Sequence, residues 1–153
     1  MTYLLGVGDR HLENLMITPS GRLFHVDFGF LFGKDPKPLP PAMKITREMI
    51  DAMGGEASSG YDRFQSYCFV SYNILRKSAN LIISLFSLMQ HSNVPDIQED
   101  PERMMTKVQE SFQVSKTDEE AIDHFRVQII NSANAIVPQM MEKVHKIAQE
   151  WRK

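Results

Sequence analysis

A predicted β-hairpin with polar residues at both ends constrains this chain more than any other feature. Two strand-like runs are separated by the turn sequence Pro-Ser-Gly-Arg at 19–22, with proline and glycine well placed to form a turn. The runs are residues 15–18 and 23–26. If Thr18 pairs with Leu23, then Asn14 lies opposite Asp27. An amide oxygen and a carboxylate held together in this way can bind a Mg²⁺ ion that also binds phosphate oxygens.

A second polar cluster, Asp9-Arg10-His11, precedes Asn14 in the same loop. Phosphoryl transfer needs a metal, positive charge and a base near the acceptor hydroxyl, and this cluster brings a carboxylate, a guanidinium and an imidazole beside the predicted metal. Each residue alone more often serves as a cap, a turn or a surface side chain. Their conjunction around one hairpin favours a kinase-type site. Arg10 either stabilises phosphate charge or forms an internal ion pair that fixes the loop, and the sequence leaves both open.

The order D-R-H-x-x-N followed by D-F-G resembles the phosphatidylinositol 3-kinase and 4-kinase superfamily, whereas ordinary protein kinases read H-R-D. The resemblance implies that His11 is the base for the acceptor hydroxyl and that Asp9 supports the loop. It also implies that Asn14 and Asp27 bind the metal, with ATP and Mg²⁺ (or Mn²⁺) as cofactors. From the residues themselves, either Asp9 or His11 can be the base.

Residues 25–46 form the predicted activation loop, which in this family contacts the lipid headgroup. The predicted substrate contacts are Phe28, Gly29, Lys34, Lys37 and Lys44. A headgroup already phosphorylated at other positions would call for a dense run of Lys and Arg, because each phosphate adds roughly −1.5 to −2 charges. The loop has no such run, and Asp35 partly offsets its lysines.

Residues 33–41, Gly-Lys-Asp-Pro-Lys-Pro-Leu-Pro-Pro, closely resemble the activation loop of class III phosphatidylinositol 3-kinases, and the resemblance covers the chain from end to end. It implies a transferase that converts phosphatidylinositol to phosphatidylinositol 3-phosphate. It also implies a pseudokinase-like regulatory subunit, a Beclin-type coiled-coil subunit, and a cytoplasmic enzyme peripheral on endosomal and autophagic membranes. A phosphatidylinositol 4-kinase and a non-catalytic fragment that docks on membranes or subunits remain alternatives.

The remaining sequence is dominated by helical patterns, so the predicted fold is mainly α with a small β-hairpin, as in the C-terminal lobe of a protein-kinase-like fold. Apolar spacing over residues 61–90 predicts one long helix or two consecutive helices. Pro101 is expected in the first turn of another helix. Thr117 and Glu120 match a capping box, which predicts a helix starting at Asp118.

The predicted organisation is a single partial domain over residues 1–153. Its parts are a catalytic loop (6–14), a β-hairpin (15–26), an activation loop (25–46), a helical scaffold (61–137) and a C-terminal amphipathic helix (138–153). The glycine-rich phosphate loop and the strand-borne lysine of a complete kinase are not found in the sequence. The resemblance places both in an N-terminal lobe upstream of Met1, so this chain alone is expected to bind ATP poorly and to turn over little or no substrate.

The C-terminal stretch after Pro138 combines an apolar face with an excess of cations. Proline lacks an amide hydrogen, so a break or kink is expected near Val137. An amphipathic helix of this kind either packs on the lobe or touches an anionic membrane. The predicted membrane contacts are Ile147, Trp151, Arg152 and Lys153.

Composition excludes some other classes of protein. The formal net charge of −2 argues against nucleic-acid binding through a broad basic surface, because such binding rests mainly on neutralising phosphates. Cys68 is the only cysteine, so the chain has no internal disulfide, and an intracellular compartment is the simpler expectation. No stretch approaches the ~20 apolar residues of a membrane span, so any membrane contact is expected to be peripheral.

Overall fold

The structure is a computed structural model that describes residues 1–93 and 95–135, apart from the side chains of His91 and Asp96. Its elements, in chain order, are β1 (Leu15–Ile17), β2 (Leu23–His25), α1 (Arg47–Ala52), α2 (Ser59–Lys77), α3 (Ala79–Leu88), α4 (Pro95–Glu99), α5 (Pro101–Phe112) and α6 (Asp118–Ala133). Short 3₁₀ turns cover Leu12–Asn14 and Met89–His91. The predicted fold, mainly α with a small β-hairpin, is confirmed.

Local signals determine where two of the long helices begin. The Thr117 hydroxyl accepts a hydrogen bond from the Glu120 amide at 3.3 Å, and the Glu120 carboxylate accepts one from the Thr117 amide at 2.9 Å. The predicted capping box is therefore confirmed, with α6 starting at Asp118. Pro101 begins α5 as predicted, because its missing amide hydrogen is not needed in the first turn.

The predicted helical run from residue 61 forms two consecutive helices, α2 and α3, which meet at Ser78. Helix α2 begins two residues earlier than expected, because the Ser58 hydroxyl accepts a hydrogen bond from the Tyr61 amide at 3.1 Å. The sequence patterns did not predict the short helices α1 and α4. Helix α1 is capped by Thr46 and held by Ile50, whose side chain is 1% exposed.

The predicted hairpin register is wrong by one residue. Leu23 pairs with Ile17 rather than with Thr18, and the Thr18 amide donates to the Arg22 carbonyl at 2.9 Å. The loop therefore contains three residues rather than four. Its last residue, Gly21, has a φ of 81°, which is the left-handed residue that completes a three-residue hairpin loop.

Aromatic contacts attach the two functional loops to the helical core. The ring centroid of Tyr3 lies 4.7 Å from that of Phe125 on α6 and 6.0 Å from that of Tyr72 on α2. Phe32 is buried, with its ring 5.6 Å from Phe86 on α3 in an edge-to-face arrangement. The segments before the catalytic loop and after the Asp-Phe-Gly motif are thus anchored on the same scaffold.

Within residues 1–93 and 95–135, no helix is long and apolar enough to cross a membrane. The predicted break near Val137 and the predicted helix at 138–153 lie outside the described residues. The same holds for the predicted membrane contacts Ile147, Trp151, Arg152 and Lys153.

Candidate active site

The catalytic loop is positioned by direct backbone pairing with the first part of the activation loop. The Gly8 amide donates to the Phe30 carbonyl at 2.9 Å, and the Gly33 amide donates to the Gly6 carbonyl at 2.8 Å. A side-chain Cβ at Gly8 would lie 2.0 Å from the Lys34 carbonyl oxygen. Only glycine therefore lets the two loops approach this closely.

Arg10 holds the catalytic loop against the Asp-Phe-Gly motif. Its guanidinium is buried and donates to the main-chain carbonyls of Gly8 at 2.7 Å and Val26 at 2.9 Å, and also to that of Asp27. The guanidinium carbon lies 5.6 Å from the centre of the Phe28 ring. This geometry favours the loop-fixing alternative for Arg10, with backbone carbonyls as acceptors instead of a carboxylate.

His11 lies between two carboxylates at the surface of the loop. Its Nε2 is 3.6 Å from Asp9 Oδ2, and its Nδ1 is 3.9 Å from Glu13 Oε2. The imidazole is 30% exposed, so an acceptor hydroxyl can reach it from solvent. A neutral imidazole oriented in this way has a ring nitrogen that can accept a proton.

Asn14 and Asp27 lie at the same end of the hairpin, although they are not directly opposite. The Val26 amide donates to the Asn14 carbonyl at 3.1 Å, so Asn14 faces Val26 and Asp27 follows one residue later. Asp27 has a φ of 58°, a left-handed conformation that is uncommon for a residue other than glycine. This turn of the backbone directly follows the hairpin and sets the direction of the Asp27 side chain.

The side chains of Asn14 and Asp27 offer oxygen donors of the kind that Mg²⁺ binds. Asn14 is buried and donates its Nδ2 to the Asp9 carbonyl at 2.9 Å, so its amide oxygen is the atom that can face a cation. Asp27 accepts the Gly29 amide on Oδ1 at 3.1 Å, and its carboxylate is exposed. The described residues contain no cluster of three or more His, Cys, Asp or Glu side chains suited to a metal. Two oxygen ligands nevertheless suit Mg²⁺, which commonly takes its other ligands from water and substrate phosphates.

Two of the predicted substrate lysines contact carboxylates in this structure. Lys34 forms an ion pair with Glu99 on α4, and the ammonium of Lys37 lies 3.8 Å from Asp9 Oδ1. Lys44 is half-buried. Lys34 therefore links the activation loop to the scaffold, and Lys37 links it to the catalytic loop.

Sequence reasoning missed the role of Asp35, which it treated only as a charge that offsets the lysines. One of its carboxylate oxygens accepts the Asp9 amide at 2.8 Å, and the other accepts the Lys37 amide at 2.8 Å. The second bond forms an Asx-turn, and Asp-Pro is a turn-forming dipeptide that could have indicated it. The bond to Asp9 spans 26 residues, and no local pattern reveals it.

Sequence reasoning also missed an exposed apolar pair on one face of the hairpin. Met16 and Phe24 are directly paired across the strands and are 49% and 45% exposed. Alternation along the strands places them on the same face as Asn14. Because the predicted register was wrong by one residue, this apolar pair beside the predicted metal ligands was not predicted.

His25 lies on the opposite face, paired with Leu15. Burial, and then the positive charge of Arg10, lower the pKa of His25 from its usual value of 6.5. The lowered pKa favours the neutral form of the His25 imidazole.

The loop, hairpin and scaffold together define a kinase-type catalytic lobe, and comparison with known proteins gives its family. The family model for phosphatidylinositol 3- and 4-kinases matches residues 1–99. The chain belongs to the phosphatidylinositol 3- and 4-kinase family.

Individual relatives indicate which kind of phosphatidylinositol kinase this chain resembles. Over 152 residues the chain is 55% identical to the phosphatidylinositol 3-kinase VPS34 of Arabidopsis thaliana. The aligned region covers 99% of this chain and 19% of that protein. It is 55% identical to the root isoform of the phosphatidylinositol 3-kinase of Glycine max, with the same shares covered, and 51% identical to VPS34 of Saccharomyces cerevisiae, with 99% and 17% covered. The chain spans about a fifth of the length of these curated relatives. The resemblance to class III phosphatidylinositol 3-kinases is confirmed.

Proposed function

We propose that this chain is the C-terminal lobe of a phosphatidylinositol 3-kinase catalytic domain, and that the complete enzyme transfers the γ-phosphate of ATP to the 3-hydroxyl of phosphatidylinositol. The observation that carries the proposal is that His11, Asn14 and Asp27 lie at the same end of one hairpin. The similarity to proteins named phosphatidylinositol 3-kinase supports the choice of reaction.

In the proposed reaction His11 accepts the proton of the inositol 3-hydroxyl as that oxygen bonds to the γ-phosphorus of ATP. The bond from the γ-phosphorus to the bridging oxygen breaks, and ADP leaves with that oxygen. Asp9 orients the imidazole, since its carboxylate lies 3.6 Å from Nε2. Arg10 holds the catalytic loop against the hairpin through three main-chain carbonyls. Its contribution is to keep His11 in a fixed position relative to the metal ligands.

The proposed cofactors are ATP and Mg²⁺ (or Mn²⁺). Asn14 and Asp27 would hold the metal, which when bound neutralises charge on the phosphate oxygens. The exposed pair of Met16 and Phe24 offers an apolar surface beside these ligands, suited to the planar base of the nucleotide.

The proposed substrate is phosphatidylinositol that carries no further phosphate. Lys34 and Lys37 are engaged with Glu99 and Asp9, so the loop presents little positive charge beyond what a single phosphodiester requires. Phe28 and Gly29 adjoin the metal ligand Asp27 and would face the transferring phosphate. Lys44 remains a proposed headgroup contact.

The partners and location of the complete enzyme are proposals as well. By resemblance they are a pseudokinase-like regulatory subunit, a Beclin-type coiled-coil subunit, and the surface of endosomal and autophagic membranes. The proposed membrane contacts are Ile147, Trp151, Arg152 and Lys153. Vesicle flotation of the full-length enzyme with Ile147→Asp tests them, and undiminished binding would contradict this part of the proposal.

The proposed catalytic roles are tested with full-length enzyme, phosphatidylinositol vesicles, ATP and Mg²⁺. His11→Ala should lower kcat by about 10²-fold to 10⁴-fold, the usual range for a general base. Asp27→Ala should also abolish most turnover. Asp123→Asn is a matched control, because its carboxylate pairs with Arg126 on the same exposed helix face.

Wild-type turnover in Asp27→Ala would contradict the metal assignment. Comparing Asp9→Asn with His11→Ala identifies the base, because loss of the base should lower kcat more than loss of the residue that orients it. A 4-phosphate product would favour the 4-kinase alternative, and an inactive wild-type enzyme that still bound vesicles would favour a docking fragment.

A further inference from the structure

Asp35, in the activation loop, makes a direct contact with the backbone of the catalytic loop. Its Oδ2 accepts a hydrogen bond from the Asp9 amide at 2.8 Å. The packing around this bond is tight, because a Cβ at Gly8 would lie 3.0 Å from the same oxygen. The carboxylate of Asp35 therefore reaches the residue that lies beside His11.

The Asp35 carboxylate is held in place by its own turn. Its other oxygen accepts the Lys37 amide at 2.8 Å, and Pro36 fixes the backbone between them. This turn also brings the Lys37 ammonium to 3.8 Å from Asp9 Oδ1. Lys37 thus links the turn to the side chain of Asp9 as well.

The backbone of Asp9 needs such support. Its φ is 51°, in the left-handed region, which is uncommon for residues other than glycine although Asp adopts it more readily than most. Conformations of this kind persist only where surrounding contacts hold them. The Asp9 amide is held by Asp35, and the Asp9 carbonyl accepts hydrogen bonds from the His11 amide at 3.0 Å and from Asn14 Nδ2 at 2.9 Å.

We propose that Asp35 is a positioning residue for phosphoryl transfer, because it fixes the backbone of Asp9 and thereby places His11 and Asn14. This inference rests on the proposed function and extends it to the activation loop. Through Asp35 the segment proposed to contact the lipid headgroup also sets the geometry of the proposed base and metal ligand.

The kinetic test uses the full-length enzyme with Asp35→Ala, Asp35→Asn and the control Asp123→Asn. Asp35→Ala should lower kcat for lipid phosphorylation about tenfold, the effect of losing a charged hydrogen bond. It should also raise the ratio of ATP hydrolysed to lipid phosphorylated, since water needs less alignment than the inositol hydroxyl. Asp35→Asn keeps one acceptor oxygen and should give intermediate values.

The ratio of hydrolysis to transfer does not depend on how much of the protein is folded, so it separates positioning from a loss of stability. An Asp35→Ala enzyme with wild-type kcat and ratio overturns the inference while the proposed function stands. A wild-type enzyme that phosphorylates no lipid overturns both.

A second measurement does not depend on turnover. Hydrogen–deuterium exchange of full-length protein, resolved at the Asp9 amide, should be about tenfold faster in Asp35→Ala, because that amide loses its charged acceptor. Asp123→Asn should leave the exchange of Asp9 unchanged. Equal exchange of the Asp9 amide in wild type and Asp35→Ala would overturn the inference.

Discussion

Substitution of Gly8 by alanine tests the close approach of the two loops. The added Cβ would lie 2.0 Å from the carbonyl oxygen of Lys34, whereas such contacts are essentially never shorter than 3.0 Å. The obstacle is a backbone atom and cannot rotate away. The catalytic loop and the activation loop must therefore separate by about 1 Å, which also stretches the 2.9 Å bond from the Gly8 amide to Phe30.

The expected effect on activity follows from that displacement. A misplacement of about 1 Å at a catalytic centre can lower the rate roughly 10²-fold, so we expect about a hundredfold loss of kcat in Gly8→Ala. The steric overlap should also lower the free energy of unfolding by about 1–3 kcal/mol. Lipid kinase turnover by the full-length enzyme and a thermal denaturation scan measure the two effects.

Gly55→Ala is the matched control. Gly55 lies between α1 and α2 with a φ of 92°, and a Cβ there would meet nothing within 4 Å. The left-handed backbone alone should lower stability by roughly 1–2 kcal/mol, without moving the catalytic loop. Gly8→Ala with turnover within threefold of wild type, or an equal loss of turnover in both variants, would show that the contact at Gly8 does not position the catalytic loop.

Three further predictions concern stability and are checked by urea unfolding of the protein. Thr117→Ala removes the N-cap of α6 and should lower the free energy of unfolding by about 1 kcal/mol, whereas no change would show that the cap is not formed. Tyr72→Phe removes the buried 2.9 Å hydrogen bond to the Ser111 carbonyl and should lower it by about 1–3 kcal/mol, because that carbonyl loses its partner; an unchanged midpoint would contradict the contact. Because burial and the charge of Arg10 lower the pKa of His25, the unfolded chain binds this proton more readily, and stability should decrease as the pH falls below about 6.5. His25→Gln should make that decrease shallower, and an identical pH dependence in the variant would contradict the assignment.

Features encoded by neighbouring residues could be predicted from the sequence. The capping box of Thr117 and the helix start at Pro101 depend on a few adjacent residues, and both are confirmed. The hairpin was found for the same reason, from two apolar runs and a turn sequence. The placement of His11, Asn14 and Asp27 at one end of it follows from chain order, although their catalytic roles remain predictions.

Features that depend on a single-residue offset or on distant contacts could not be predicted. A four-residue loop and a three-residue loop differ by one residue, and the left-handed conformation of Gly21 decides between them. The hydrogen bond between Asp35 and Asp9 depends on how two loops pack on the scaffold. The sequence therefore indicated Asp35 only as a charge that partly offsets the lysines, while the structure places its carboxylate against the catalytic loop.

The proposed reaction of the complete enzyme is phosphorylation of phosphatidylinositol at its 3-hydroxyl. The most direct measurement is the position of the new phosphate on the inositol ring, determined by chromatography of the deacylated product against 3-, 4- and 5-phosphate standards. The full-length enzyme with ATP and Mg²⁺ should give phosphatidylinositol 3-phosphate, and Asp27→Ala should give almost none. A product phosphorylated at the 4-position, or no lipid product from the wild-type enzyme, would contradict the proposed 3-kinase reaction.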